Sequence, residues 1–215
     1  AERRLAVLKP LKVVIENFAE GKIEWLPALN NPNSDKQEQR EIPFSREIWI
    51  EQDDFMEEPS KKFFRLAPGK EVRLRYAFFV TCNAVIKDED GEIVELRCSY
   101  DPETRGGNAP DGRKVKGTIH WVSAEHAKDA EVRIYNSFYN TPSPGRERDF
   151  IEDINPNSLE VLENCKIEPD LIALDDNVPI QFERLGYFYK DPDTTPEKHI
   201  YNRTISLRDT WNKKP

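Results

Sequence analysis

Glu71 to Val80 reads EVRLRYAFFV. Apolar and charged residues alternate through Val72-Arg73-Leu74-Arg75, the period of a strand with one buried face. Aromatic and β-branched residues fill the remainder, as strands prefer. Working outward, the same period recurs on both sides. Upstream it appears in Leu11 to Phe18 (LKVVIENF), Lys22 to Leu26 (KIEWL) and Arg40 to Ile50 (REIPFSREIWI). Ala84 to Asp88 and Glu92 to Tyr100 flank Glu89-Asp90-Gly91, a hairpin turn built on Asp-Gly. Val115 to Val122, Ala130 to Tyr135, Pro179 to Tyr189 and Tyr201 to Leu207 continue the series. Helical periodicity is confined to Leu159 to Asn164 and Leu171 to Asp175. Many short strands between turn signals predict an all-β chain with only short helices, its antiparallel sheets closed as barrels or sandwiches.

The 215 residues suit one large β domain or two of about 100 residues. Tyr100 to Gly112 (YDPETRGGNAPDG) is polar and rich in glycine and proline, so it marks the best division between halves. Asn140 to Arg148 reads as a surface loop in the second half, and no internal repeat is visible by eye. A net charge of -8 and 33% charged residues accompany 11 Phe, 7 Tyr and 4 Trp, which favours a folded, well-solvated chain over a disordered one. The longest apolar run is Ala77 to Val80, far short of a membrane span, and Ala1-Glu2-Arg3-Arg4 does not resemble a secretory signal. Cys82, Cys98 and Cys165 lack metal-ligand spacing, and His120, His126 and His199 do not complete a zinc set. Three free thiols, no metal and a reducing, cytoplasmic setting are therefore expected, in which the Asn202-Arg203-Thr204 triplet carries no glycan.

Neither a dinucleotide fingerprint, nor a phosphate-binding P-loop, nor a serine nucleophile elbow occurs. A glycosidase-type carboxylate pair is one possibility among 40 acids, although such acids usually form a solvated surface. Charge segregation is more informative. Glu51 to Glu58 (EQDDFMEE) is purely acidic, and Lys61, Lys62, Arg65, Lys70, Arg73 and Arg75 follow directly. A local basic patch attracts an anionic partner despite the acidic total, because screening limits distant charges to about 8–10 Å. Strand alternation places Arg73 and Arg75 on one face, where guanidinium donors suit base edges and phosphates. Phe63 and Phe64 interleave with the basic residues and offer a stacking surface for an unpaired base. The competing reading pairs both arginines with acids of a neighbouring strand and buries the phenylalanines. Arg113-Lys114-Val115-Lys116 is a second, shorter basic cluster, and His120-Trp121 reads as packed strand.

Several longer stretches then become recognisable: Arg113 to Ala124 (RKVKGTIHWVSA), Arg65 to Arg75 (RLAPGKEVRLR), Gln181 to Phe188 (QFERLGYF) and Asn202 to Trp211 (NRTISLRDTW). With Pro10 to Asn17 and Pro43-Phe44-Ser45-Arg46, they resemble the C-terminal half of glutaminyl-tRNA synthetases, a class I aminoacyl-tRNA synthetase family, from about Ala1 to Trp211. The resemblance implies two antiparallel, ribosomal-protein-like β-barrels, residues 1–115 and 116–215 with strands able to cross between them, that bind the anticodon stem-loop of glutamine tRNA. The family's HIGH-like and KMSKS-like catalytic signatures are missing. The chain is therefore expected to begin after the catalytic portion, to lack catalytic residues and cofactor, and to bind tRNA without activating glutamine. ATP use falls to the parent's N-terminal catalytic domain. That domain and glutamine tRNA are the expected partners of a monomer that engages neither membrane nor DNA.

The same resemblance assigns RNA-binding roles residue by residue. Arg75 matches the arginine at the first anticodon base, a cytidine or uridine. Arg3 and Gln181 match the residues around the central uridine, whose edge needs both donors and an acceptor, and a carboxamide supplies both. Arg65 matches the arginine that reads the third base, a guanosine. Arg184 matches a further basic residue near the pockets, although alternation puts it on the opposite strand face from Gln181. Arg73 is assigned phosphate or pocket support from the face it shares with Arg75. The mechanism implied is base splaying, each base entering its own pocket. Rival readings are a glutamyl-tRNA synthetase that shares these barrels, a free-standing barrel on structural RNA, and the carboxylate-pair enzyme.

Overall fold

The computed structural model describes residues 1–207, so the Arg208 to Trp211 end of one quoted stretch lies outside the described residues. Sixteen strands follow one another among the described residues. The first half holds β1 (Glu2–Arg4), β2 (Ala6–Val7), β3 (Pro10–Ile15), β4 (Glu24–Leu29), β5 (Gln39–Phe44), β6 (Glu47–Glu51), β7 (Glu71–Leu74), β8 (Phe79–Lys87) and β9 (Ile93–Asp101). The second holds β10 (Thr118–Ile119), β11 (Val122–Ser123), β12 (Lys128–Tyr135), β13 (Leu159–Ile167), β14 (Ile180–Phe182), β15 (Gly186–Lys190) and β16 (His199–Ser206). Helical structure among the described residues is limited to short 3₁₀ turns.

Two seven-stranded sheets, ordered β10-β7-β8-β9-β3-β6-β11 and β1-β14-β15-β16-β12-β13-β2, each curl into a barrel-like shape, and β4 and β5 form a separate antiparallel hairpin. Both large sheets are mainly antiparallel. Both also show one succession of pairings across the sheet: parallel, two antiparallel, parallel, two antiparallel. Each is thus a five-stranded unit completed by two short strands that lead into the other unit. β1 and β2 precede β3 yet belong to the second sheet, while β10 and β11 precede β12 yet belong to the first. This repeat is carried by topology rather than by residue identity, which is why the sequence hides it.

Three predicted strands are broken by turns without a glycine signal. EVRLRYAFFV is β7, a turn at Tyr76 and the start of β8, with Tyr76 at φ 64°. Pro179 to Tyr189 likewise divides into β14 and β15 around Arg184, at φ 69°. The two turns are equivalent. The Arg75 N–H donates to the Ile119 carbonyl (2.9 Å) and the Glu183 N–H to the Arg4 carbonyl (3.0 Å). The Ala77 N–H returns to Leu74 and the Leu185 N–H to Phe182, both at 2.9 Å. Arg40 to Ile50 also divides, because the chain leaves one hairpin at Phe44 and enters β6 at Glu47. Leu159 to Asn164, expected to be helical, is strand: β13 is nine residues long and pairs antiparallel with β12, a ladder worth more than weak local periodicity.

Each half has its own core. In the first, Val13, Ile48, Ile50, Val72, Leu74, Leu96 and Trp121 are buried, and Phe18, Phe44, Phe78 and Tyr100 meet edge-on with centroids about 5 Å apart. In the second, Phe182 stacks on Phe188 at 4.1 Å among Val132, Ile167, Ile180 and Tyr201. The halves are tied by ions as well as by apolar burial, since Val7 of β2, a strand of the second sheet, is buried in the first core together with Leu5. Buried Glu168 accepts from Arg40 Nη2 (2.7 Å) and from the Leu5 N–H (3.0 Å), with the Arg4 Nε at 3.4 Å. Burial raises the Glu168 carboxyl pKa against the pull of Arg40.

Candidate nucleic-acid interface

Arg3 on β1 is registered beside Gln181 on β14 in parallel strands, so the two side chains leave the same face. The Glu183 carboxylate, 6% exposed, lies next to them. Its Oε1 accepts the Tyr76 hydroxyl at 2.8 Å and faces Arg75 Nη2 at 3.5 Å and Arg3 Nη1 at 3.9 Å. Arg75 also lies over the Tyr76 ring, its Cζ 5.1 Å from the centroid. Burial works against the Arg75 charge, but Glu183 and Tyr76 together outweigh it and the guanidinium pKa is raised. Burial, followed by Glu183, raises the Tyr76 hydroxyl, which therefore stays a donor. This group joins three predicted residues, Arg3, Arg75 and Gln181, drawn from both halves.

A second group forms a cleft of about 540 Å³ lined by Asp53, Asp54, Arg65, His120, Arg184 and Ser206 among others. The Arg184 guanidinium grips Asp54 with two parallel bonds of 2.6 and 2.7 Å, and Arg65 Nε lies 3.4 Å from the same carboxylate. Arg184 Nη1 is also 3.1 Å from His120 Nδ1. A guanidinium only donates, so Nδ1 accepts and Nε2 is left to donate to Glu51 Oε1 at 3.3 Å. Arg65 Nη1 donates to the Asp53 carbonyl at 2.9 Å. Arg184 thus lines this cleft, whereas Gln181 lies beside Arg3 in the first group. The positive φ at Arg184 turns its side chain away from the face that β14 presents.

Arg73 stands apart from both groups. The alternation runs on through Arg75: the Arg73 and Arg75 N–H groups bond to the Gly117 and Ile119 carbonyls, both at 2.9 Å, with Val72 and Leu74 buried, but the two guanidiniums have different partners. The Arg73 guanidinium lies over the Phe79 ring at 5.5 Å, and Gly107 is packed on its stem so closely that a Cβ there would sit 2.9 Å from Arg73 Cδ. It lines a cleft of about 300 Å³ with Asn108, Arg113 and Lys114. Arg113 is held by Glu71 at 2.9 and 3.0 Å, by Asp111 at 2.8 Å and by Asp101, and these hydrogen bonds raise its pKa. The Nε–H groups of Arg73 and Arg75 are both buried and have no protein acceptor. A buried donor without an acceptor is costly, and a ligand acceptor removes that cost.

The pairing with acids kept open for Arg73 and Arg75 is present at Arg75, and Arg65 and Arg184 are paired with an acid as well, but pairing does not consume these three. Their side chains are 37%, 32% and 30% exposed, while the acids behind them are nearly buried. Each guanidinium has five donors and spends one to three on protein. Phe64 is half exposed with Lys116 Nζ 4.9 Å from its ring, whereas Phe63 is only partly buried beside it. Sequence reasoning missed Asp54, Glu183 and His120 as parts of the site. Asp54 was hidden in an acidic run that looked solvated, and it is 1% exposed. Among the described residues no group of His, Cys, Asp and Glu is placed to hold a metal ion, and no helix is long and apolar enough to cross a membrane.

Comparison with known proteins points in one direction. Residues 1–101 and 118–191 match two family models, each described as tRNA synthetases class I (E and Q), anti-codon binding domain. A glutamine–tRNA ligase of Bradyrhizobium diazoefficiens is 60% identical over 99% of this chain, and one of Nitrobacter winogradskyi is 56% identical over the same share. A glutamine–tRNA ligase of Aliivibrio salmonicida is 52% identical over 98% of the chain. The chain spans 38% of the length of each of these relatives.

Proposed function

This chain belongs to the anticodon-binding domain family of the class I tRNA synthetases (E and Q), and on that footing we propose that it reads the anticodon stem-loop of glutamine tRNA within a glutamine–tRNA ligase. The observation that carries the reading is the convergence of Arg3, Arg75 and Gln181 from two barrels, beside a second cleft that holds Arg65 and Arg184. Separate pockets with donor-rich walls suit bases that have left their stack and expose Watson–Crick edges. Carboxylates behind the guanidiniums orient them in advance, so less side-chain entropy is lost when a base arrives.

In this reading Arg75 serves the first base, Arg3 and Gln181 the central uridine, and Arg65 the third base, with Arg184 between the central and third pockets. Arg73, with Lys114 at the mouth of its cleft, supports the backbone or pocket wall. The barrels, residues 1–115 and 116–215 with exchanged strands, recognise tRNA in the cytoplasm. ATP-dependent ligation belongs to the remainder of the parent protein. The test is binding of glutamine-tRNA stem-loops and anticodon-swapped versions at one fixed salt concentration. Tighter binding of the cognate loop by about tenfold or more supports the reading, and equal binding of all loops overturns it. Preference for the glutamate anticodon transfers the chain to the other branch of the same family.

A further inference from the structure

The candidate base readers are not independent of one another. Glu183 Oε1 faces donors from both halves: Tyr76 and Arg75 of the first, and Arg3, whose strand lies in the second sheet. Asp54, from the first half, is shared between Arg65 of its own half and Arg184 of the other. Glu183 and Arg184 are consecutive residues. One chain of contacts therefore runs Arg75, Glu183, Arg184, Asp54, Arg65 through both groups.

We propose that Glu183 and Asp54 are positioning residues that couple the pockets, so that neighbouring anticodon bases are read cooperatively rather than one at a time. The inference rests on the function proposed above and adds a property that separate pockets would lack. Groups without a common partner contribute additively, whereas groups that share one do not. The 3.5 and 3.9 Å separations at Glu183 Oε1 exceed a normal charge-assisted bond of about 2.8 Å, as expected when several donors share one oxygen. When Arg75 turns its donors to a cognate first base, its claim on Glu183 falls. Arg3 then closes on the released oxygen and is held in place for the central base. A wrong first base leaves Arg75 on Glu183 and Arg3 loosely held. The central contact is then weaker before it is tested. Asp54 links Arg184 and Arg65 by the same logic.

The experiment measures binding of anticodon stem-loop RNAs to the 215-residue chain by fluorescence anisotropy at fixed salt. The RNAs carry single changes at the first, central and third bases, and the adjacent double changes. For the unmodified chain, each double change is expected to cost at least about fivefold less than the product of its single costs. Glu183→Gln should bring the first–central pair to within about twofold of the product while sparing the central–third pair, and Asp54→Asn should do the reverse. Tyr76→Phe keeps the Glu183 charge but removes the 2.8 Å hydroxyl that fixes it, so it should also reduce first–central coupling, and it serves if Glu183→Gln does not fold. Additive costs in the unmodified chain overturn the proposal, as does coupling that survives both Glu183→Gln and Tyr76→Phe. Absence of any anticodon preference removes the proposed function itself, whereas preference with additivity removes only the coupling.

Discussion

Arg75→Ala is the sharpest single test of the base-reading assignment, because the structure isolates what the change removes. The lost groups are the guanidinium, its 3.5 Å contact with Glu183 and its stacking on Tyr76. Glu183 is not stranded, because the Tyr76 hydroxyl at 2.8 Å and Arg3 at 3.9 Å remain. The Trp121 Nε1–H donates to the Arg75 backbone carbonyl at 2.9 Å, a bond that truncation of the side chain leaves in place. The fold should therefore hold, with a melting temperature within about 2–4 °C of the parent chain, equivalent to about 1 kcal/mol. A good guanidinium–base contact discriminates by about 1–3 kcal/mol, or roughly 5- to 150-fold. Cognate stem-loops should lose that factor, and first-base variants, which never made the contact, should lose little. The assay is anisotropy against all four first bases at one salt concentration. An equal loss for all four would mean that Arg75 holds backbone phosphate, and the assignment would fail.

Other expectations follow from particular contacts. Lys114→Ala should lower the salt slope of binding by about one unit without changing base preference, and an unaltered slope in a salt titration would place Lys114 off the RNA. Arg40→Met should cost about 3 kcal/mol in urea unfolding, because Glu168 is left buried with only Arg4 and one backbone N–H; a loss below about 1 kcal/mol would refute the seam as ionic. Burial, then Lys190 and Lys128, lowers the His199 pKa below its ordinary 6.5. The unfolded chain thus takes up this proton first, so the contribution is intact above about pH 6.5 and is lost as pH falls below it; His199→Gln should flatten the pH dependence of unfolding in that range. A Cβ on Gly117 would sit 1.9 Å from the Phe64 carbonyl oxygen, in the segment that carries Arg65. Gly117→Ala should therefore weaken discrimination at the third base more than at the first, measured with the same RNA set.

The all-β class and most strand positions were legible because they depend on period-two alternation, which each segment carries locally. What the alternation could not show was where a strand turns. Tyr76 and Arg184 occupy left-handed backbone that favours glycine, so no turn residue announces either break. That strands could cross between the barrels came with the family resemblance, but the alternation could not show which ones, β1 and β2 for β10 and β11, since strand partners are chosen by tertiary packing. The basic residues of the site were legible as types and by family resemblance. The acids were not, because a buried Asp54 and a solvated Asp53 are the same letter side by side.

The repeat explains why those acids must be there. The turns after β7 and β14 are equivalent, and they meet at the seam, where Arg75 and Glu183 occupy corresponding positions. Identical residues at those positions would set two like charges within ion-pair distance, a repulsive arrangement wherever water is partly excluded. Opposite charges turn the same geometry into an attraction that orders both side chains. The next position diverges too, Tyr76 on one side and Arg184 on the other, so the hydroxyl donates to Glu183 while the guanidinium crosses to Asp54. A stem-loop has no two-fold axis, and three different bases need three different walls. A strictly symmetric pair of barrels would offer the same wall twice. Divergence at two consecutive turn residues both removes the repulsion at the seam and makes the neighbouring pockets chemically unlike.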